Sequence, residues 1–384
     1  MAAVVGLTLV RDWPWSHTVF FVMHGIVMLM KQHSYAFYNG YLSSVHKRRA
    51  RLLARLKQLD RISPVRSPSQ TTPPVSAIST AHLAQVPTAH AYKERRRSVP
   101  SNQLPDADKV AAAIDAHKPL DGEQVAVFER ILKWEVDALT LELKGKATSP
   151  GRAYPDNLTA ANHYEFVALP TLVYELEYPR SEAVDWAYAG EKVAACFGVL
   201  LVMVMISQAL IYPVVVEAVR MKEAGVPLRE RLARFPWMLS DLVIPFMLEY
   251  LLVWYLIWET ILNLVAELTR FAGRGFYDAW WNSVSWDQFA RDWNRPVHNF
   301  LLRHVYHSSI SAMRVDRHTA TLITFFLSAC VHELVMWCIF KKLRGYLLVL
   351  QMCQLPVSLF GLSFPSSLPS TLVMLILLIF IHSW

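Results

Sequence analysis

Cysteine is scarce in this sequence and scattered. Cys196, Cys330, Cys338 and Cys353 are the only four. They show neither the paired spacing of a zinc site nor the framework of a secreted disulfide scaffold. All four lie in apolar segments and read as small buried hydrophobes. No basic stretch precedes MAAVVGLTLV and no small-residue cleavage site follows it, so the N-terminus lacks the form of a signal peptide. There is no internal repeat. The HELVM motif would need a second histidine at position 336 to bind zinc, and Met336 stands there. Zinc proteolysis is thereby excluded, and no metal site is predicted.

What the sequence has in quantity is hydrocarbon. Hydrophobic residues make up 54% of 384, mean hydropathy is positive, and several apolar runs exceed the needs of a soluble core. The prediction is an all-α, multi-pass membrane protein. Spans are expected at about 14–30, 193–217, 238–266, 319–340, 345–361 and 370–383. A net charge of +7 owes much to residues 47–66 and 93–97. Beside a membrane span, such basic runs set topology or touch anionic lipid rather than nucleic acid. They place residues 31–190 in the cytosol, where the Asn157 glycosylation sequon would be idle. The same alternation leaves KKLR (341–344) on the opposite side, against the charge rule, which points to a broken or re-entrant helix.

Four segments follow. Residues 1–46 hold the first span and its flank. Residues 47–120 read as a disordered cytosolic loop, basic at first and then rich in Pro, Ser and Thr. Within it, RRRSVP makes Ser98 a candidate phosphorylation site. Residues 121–192 form a cytosolic or interfacial segment with an amphipathic helix at 123–143. Residues 193–384 form the transmembrane core.

Chemistry concentrates in TATLITFFLSACVHELVMWCIF (319–340). An ionisable group at the centre of a bilayer costs roughly 2.5–3.5 kcal/mol on insertion scales, so its presence there points to a use. His332 is the only histidine of this run. Neutral imidazole accepts a hydroxyl proton near neutral pH, although a buried histidine also serves as a structural hydrogen-bonder. Ser328, four residues earlier, shares its helix face and can steady the ring or back-bond to a carbonyl. Glu333 points about 100° away and is a poor partner for the ring. Upstream, Asn294 in DWNRPVH carries two uncharged donors suited to an oxyanion, or caps a helix before Pro296. Around it, Arg291, Arg295, His298, Arg303, His304 and His307 suit either a phosphate-bearing ligand or a solvated interfacial face.

These residues resemble the membrane-bound O-acyltransferase family, and within it the sterol-esterifying branch of fungi. The family signature F-Y-x-D-W-W-N is matched by Phe276, Tyr277, Asp278, Ala279, Trp280, Trp281 and Asn282, with Ala279 where an Asp is expected. W-N-x-P-V-H is matched at 293–298 and S-x-x-x-H-E at 328–333. HSYAFYNGY (33–41), LPTLVYELEYPR (169–180) and FLLRHVYHSSISA (300–312) also match. The resemblance implies a transmembrane helix bundle around an intramembrane reaction chamber, in a multi-pass enzyme of the endoplasmic reticulum. It makes His332 the catalytic base, Asn294 the second active-site residue and Ser328 a supporting one. Phe276, Tyr277, Trp280, Trp281 and Asn282 become part of an acyl-CoA site. Fatty acyl-CoA is then a co-substrate, sterol the acceptor, and no cofactor or metal is needed; membrane lipids are partners, nucleic acid is not, and homo-oligomerisation is left open. The alternatives are a diacylglycerol O-acyltransferase or an inactive sterol- or acyl-CoA-binding membrane protein. Against that family the sequence reads as truncated at both ends.

Overall fold

The structure is a computed structural model that describes residues 1–63, 106–117, 120 and 122–359. Ser98, the Pro/Ser/Thr-rich stretch and the span expected at 370–383 lie outside the described residues. The chain divides into two compact units, one of residues 35–163 with 175–177, the other of 1–34, 164–174 and 178 onward. Among the described residues the structure is helical, with a single isolated bridge between Arg180 and Phe271.

After α1 (Ala2–Val10) comes α2 (Trp15–Leu59), a helix of 45 residues. In the 35–163 unit, the later part of α2 is joined by α3 (Asp106–Asp115) and α4 (Gly122–Lys144). The helix expected at 123–143 is therefore present. The expectation of disorder from residue 47 is corrected at both ends of that segment, because 47–59 and 106–115 are helical. Helical spacing explains it: Leu42, Val45, Leu52 and Leu59 recur on one face of α2 and are buried, as are Val110, Ile131 and Leu132. The basic run is also partnered. Arg48 reaches Asp108 at 3.2 Å and the buried Glu135 at 3.4 Å, Arg55 reaches Asp115 at 2.7 Å, and Arg49 donates to Thr140 at 2.7 Å.

Next comes α5 (Ala160–Ala168), and in the other unit long apolar rods follow. The first comprises α6 (Trp186–Ile206), a π-helical turn and α7 (Tyr212–Glu223). The second comprises α8 (Leu228–Trp254), a π-helical segment Tyr255–Ile261 and α9 (Leu262–Leu268). Two short helices, α10 (Trp286–Asp292) and α11 (Arg295–Leu301), precede a π turn and α12 (His307–Met313). Last come α13 (Arg317–Phe340) and α14 (Tyr346–Leu359).

Three helical rods among the described residues are long and apolar enough to cross a membrane: Trp186–Glu223, Leu228–Leu268 and Arg317–Phe340. They contain the predicted spans at 193–217, 238–266 and 319–340, and the protein is a multi-pass membrane protein. The stretch 14–30 is helical but is not one of the three; its apolar run is short and Lys31 closes it. The KKLR segment follows the end of α13 at Phe340. Lys341 adopts a left-handed conformation (φ 54°), stops α13 and turns the chain toward α14.

Candidate active site

His332 lies on α13, which Asp316 starts by accepting the backbone N–H of His318 at 3.0 Å and of Thr319 at 3.3 Å. The ring is half-buried, and its Nδ1 lies 2.8 Å from the backbone carbonyl of Ser328. A carbonyl only accepts, so Nδ1 carries a proton, and in the neutral form of the ring Nε2 carries the lone pair. That is the tautomer a general base requires. Of the atoms Ser328 offers, the ring meets the backbone carbonyl. An i to i−4 carbonyl exists at any residue type. The hydroxyl itself lies 3.5 Å from Nε2 of Gln351 on α14.

Glu333, next in the chain, turns away from the ring, as its helical offset predicts. It is 5% exposed and accepts backbone N–H groups of Arg344 at 3.2 Å, Gly345 at 2.6 Å and Leu348 at 3.4 Å. These are donors at the start of α14, which a helix leaves without internal partners. Gly345 has φ 77°, a conformation that costs a residue with a Cβ. The His-Glu pair thus splits its work: the histidine faces one way, and the glutamate caps the neighbouring helix.

Asn294 takes one of its two readings, the helix cap. It caps α11, with Oδ1 accepting the N–H of Val297 at 3.3 Å. The cap orients the amide and commits only its oxygen; Nδ2 makes no hydrogen bond among the described residues. Asn294 begins the rod 295–313, whose π turn and α12 pack on α13.

The two aromatic motifs are stitched together. Arg295 N donates to Phe276 O at 3.0 Å, Asp278 N to Asp292 O at 2.7 Å, and Arg295 pairs with Asp278 at 3.2 Å. Phe276 packs with Leu169, Ala266 and Phe271, and Trp280 with Trp254 and Phe289. Tyr277 donates to Glu259 at 2.8 Å, and burial together with that carboxylate pushes its phenol up to about 12. Trp281 and Asn282 are left exposed. Of the proposed acyl-CoA residues, three anchor the segment and two face outward. The buried indole N–H groups of Trp258 and Trp280 have no acceptor among the described residues.

The basic reading of 291–307 is narrowed. Arg291 pairs with Asp287 at 2.7 Å and Arg295 with Asp278. Burial, then Arg291, lowers the pKa of His298. His304 is buried, 2.8 Å from the Ser34 hydroxyl, and burial lowers its pKa to about 4, so it is neutral at pH 7. Ser34 also accepts the N–H of Tyr174 at 2.8 Å, which ties three of the matched segments into one polar knot. Sequence reasoning missed this knot. It also missed Lys192, 2.8 Å from Glu259 within the apolar rods. The available signal was an acidic residue inside an apolar helix, as in WETILN. No group of metal-binding side chains occurs among the described residues.

The profile of MBOAT, the membrane-bound O-acyltransferase family, matches residues 12–366. Sterol O-acyltransferase 2 of Candida albicans is 38% identical over 347 residues, 90% of this chain and 52% of that protein. Sterol O-acyltransferase 2 of Saccharomyces cerevisiae is 37% identical over 345 residues, 89% of this chain and 44% of that protein. Diacylglycerol O-acyltransferase 1 of Dictyostelium discoideum is 34% identical over 194 residues, half of this chain and 30% of its own. The chain spans about half the length of the first two relatives.

Proposed function

The chain belongs to the membrane-bound O-acyltransferase family, and from that premise we propose that it transfers a fatty-acyl group from coenzyme A to the hydroxyl of a sterol, in the endoplasmic reticulum membrane. The observation that carries this reading is the 2.8 Å contact of His332 Nδ1 with the Ser328 carbonyl inside an apolar helix, which turns Nε2 toward the base role. The similarity to sterol O-acyltransferases over 90% and 89% of this chain supports the choice of acceptor.

In the proposed reaction, Nε2 of His332 accepts the proton as the sterol oxygen forms its bond to the thioester carbonyl carbon. Nδ2 of Asn294 donates to the oxyanion that develops. Collapse breaks the C–S bond, and the thiolate of coenzyme A leaves with the proton returned from the imidazolium. The thioester supplies the driving force, and apolar surroundings keep water from it. Trp281 and Asn282, the exposed side of an otherwise anchored segment, meet the acyl-CoA. Ala279 removes one carboxylate from the signature, and the adjacent Asp278 is already paired with Arg295.

Diacylglycerol acylation is the second reading, favoured by the similarity to the Dictyostelium enzyme over half the chain. Membranes containing the protein, given labelled acyl-CoA with sterol and diacylglycerol together, should form labelled steryl ester. Labelled triacylglycerol alone would move the assignment to the second reading. Sterol binding with no ester of either kind would leave a binding protein.

A further inference from the structure

α14 packs against the helix that carries His332, and it brings one polar side chain to that histidine. Gln351 places Nε2 at 3.4 Å from Nδ1 of His332 and 3.5 Å from Oγ of Ser328. As oriented, the amide sets one donor against another, because Nδ1 already carries the proton given to the Ser328 carbonyl. Its own oxygen, Oε1, is buried with no hydrogen-bond partner among the described residues. A half-turn of the amide resolves both faults: Oε1 then faces the Nδ1–H and the Ser328 hydroxyl, and both can donate to it. A buried amide oxygen left without a donor costs free energy, and in this orientation Oε1 meets two donors.

We infer that Gln351 is a positioning residue of the acyl-transfer centre, its amide oxygen holding the Nδ1 side of the His332 ring, and that Glu333 places it there by capping α14. The inference rests on His332 being the base. Its logic is that of an outer partner on a ring nitrogen. When Nε2 takes the alcohol proton the ring becomes cationic, and an oxygen facing Nδ1–H stabilises that cation most at the moment of transfer. Ser328 contributes a carbonyl and a hydroxyl to the same cluster, while Glu333 fixes the helix through three backbone bonds without touching the ring. The sequence thus uses adjacent residues, His332 and Glu333, for the proton and for the helix that steadies its acceptor.

The test compares Gln351→Met, Gln351→Glu and His332→Ala in membranes containing the full chain, by steryl ester formation at varied acyl-CoA. Methionine keeps the length of the side chain and removes the oxygen; glutamate keeps an oxygen acceptor. Gln351→Met should lower kcat about tenfold or more with KM for acyl-CoA little changed, since the bond acts on charge that appears during transfer. Gln351→Glu should recover most of that loss, and it remains decisive even if the methionine variant does not accumulate. Parent-like kcat in Gln351→Met, with His332→Ala inactive, would overturn this inference alone. An accumulated Gln351→Glu protein without recovered activity would overturn it as well. Full activity in His332→Ala would overturn the base, and this inference with it.

Discussion

Leu132 and Leu139, in the 35–163 unit, are buried, and arginines line that unit's surface. In the first two apolar rods, by contrast, Phe197, Leu201 and Trp237 stand 62–76% exposed, while Lys192 and Glu259 pair at 2.8 Å and Ser207 donates to Glu249 at 2.8 Å. One unit hides hydrocarbon from water; the other offers it outward and gathers polar groups within. The difference teaches how each unit is to be broken. Apolar truncation injures the first most, and an unpaired charge injures the second.

The largest effect on stability is expected from Lys192→Met. It takes the cation from Glu259, which keeps the Tyr277 hydroxyl, at a cost toward the lower end of the about 3–5 kcal/mol for breaking a buried pair. Thermal unfolding of the detergent-solubilised protein should show it. The double variant Lys192→Met/Glu259→Leu should recover much of the loss, because no charge is then left without its partner. A single variant as stable as the parent would show that lipid or water already solvates the carboxylate.

Leu139→Ala sharpens the other side of the contrast. Leu139 is 1% exposed on α4, and truncation at such a site costs about 2–5 kcal/mol. Protease sensitivity within the 35–163 unit should rise while the apolar rods stay resistant. Equal sensitisation of both would mean that the two units do not unfold separately.

The legibility of the sequence follows the same divide. Apolar runs of bilayer length were plain in 193–217, 238–266 and 319–340, and all three are helical. Arg48, Arg49 and Arg55 looked like a solvated or lipid-facing run because their partners Asp108, Thr140 and Asp115 lie 60 to 91 residues away. Charge density is a local property; pairing is not. His332 and Asn294 stand out as candidates by residue type and the family motif, and the cap at Asn294 was legible from Pro296 two residues on. The atom of Ser328 that meets the His332 ring was not legible, since helix spacing places a residue without saying whether its hydroxyl or carbonyl makes the bond. Gln351 stayed hidden in an apolar run, its meaning dependent on which helix packs beside it.

The smallest effect is expected from Arg55→Ala. Its pair with Asp115 spans 2.7 Å between side chains about a third to a half exposed. Exposed pairs contribute about 0–1 kcal/mol, so thermal stability should move little. A loss as large as that in Leu139→Ala would mean that the basic face carries the 35–163 unit rather than decorating it.

The central claim is that a neutral imidazole on an apolar helix takes the alcohol proton, and steryl ester formation by His332→Ala tests it most directly. With the variant accumulated in membranes at the parent level and supplied with labelled acyl-CoA and sterol, the account predicts ester formation indistinguishable from background. Ester formation at an appreciable fraction of the parent rate would contradict it.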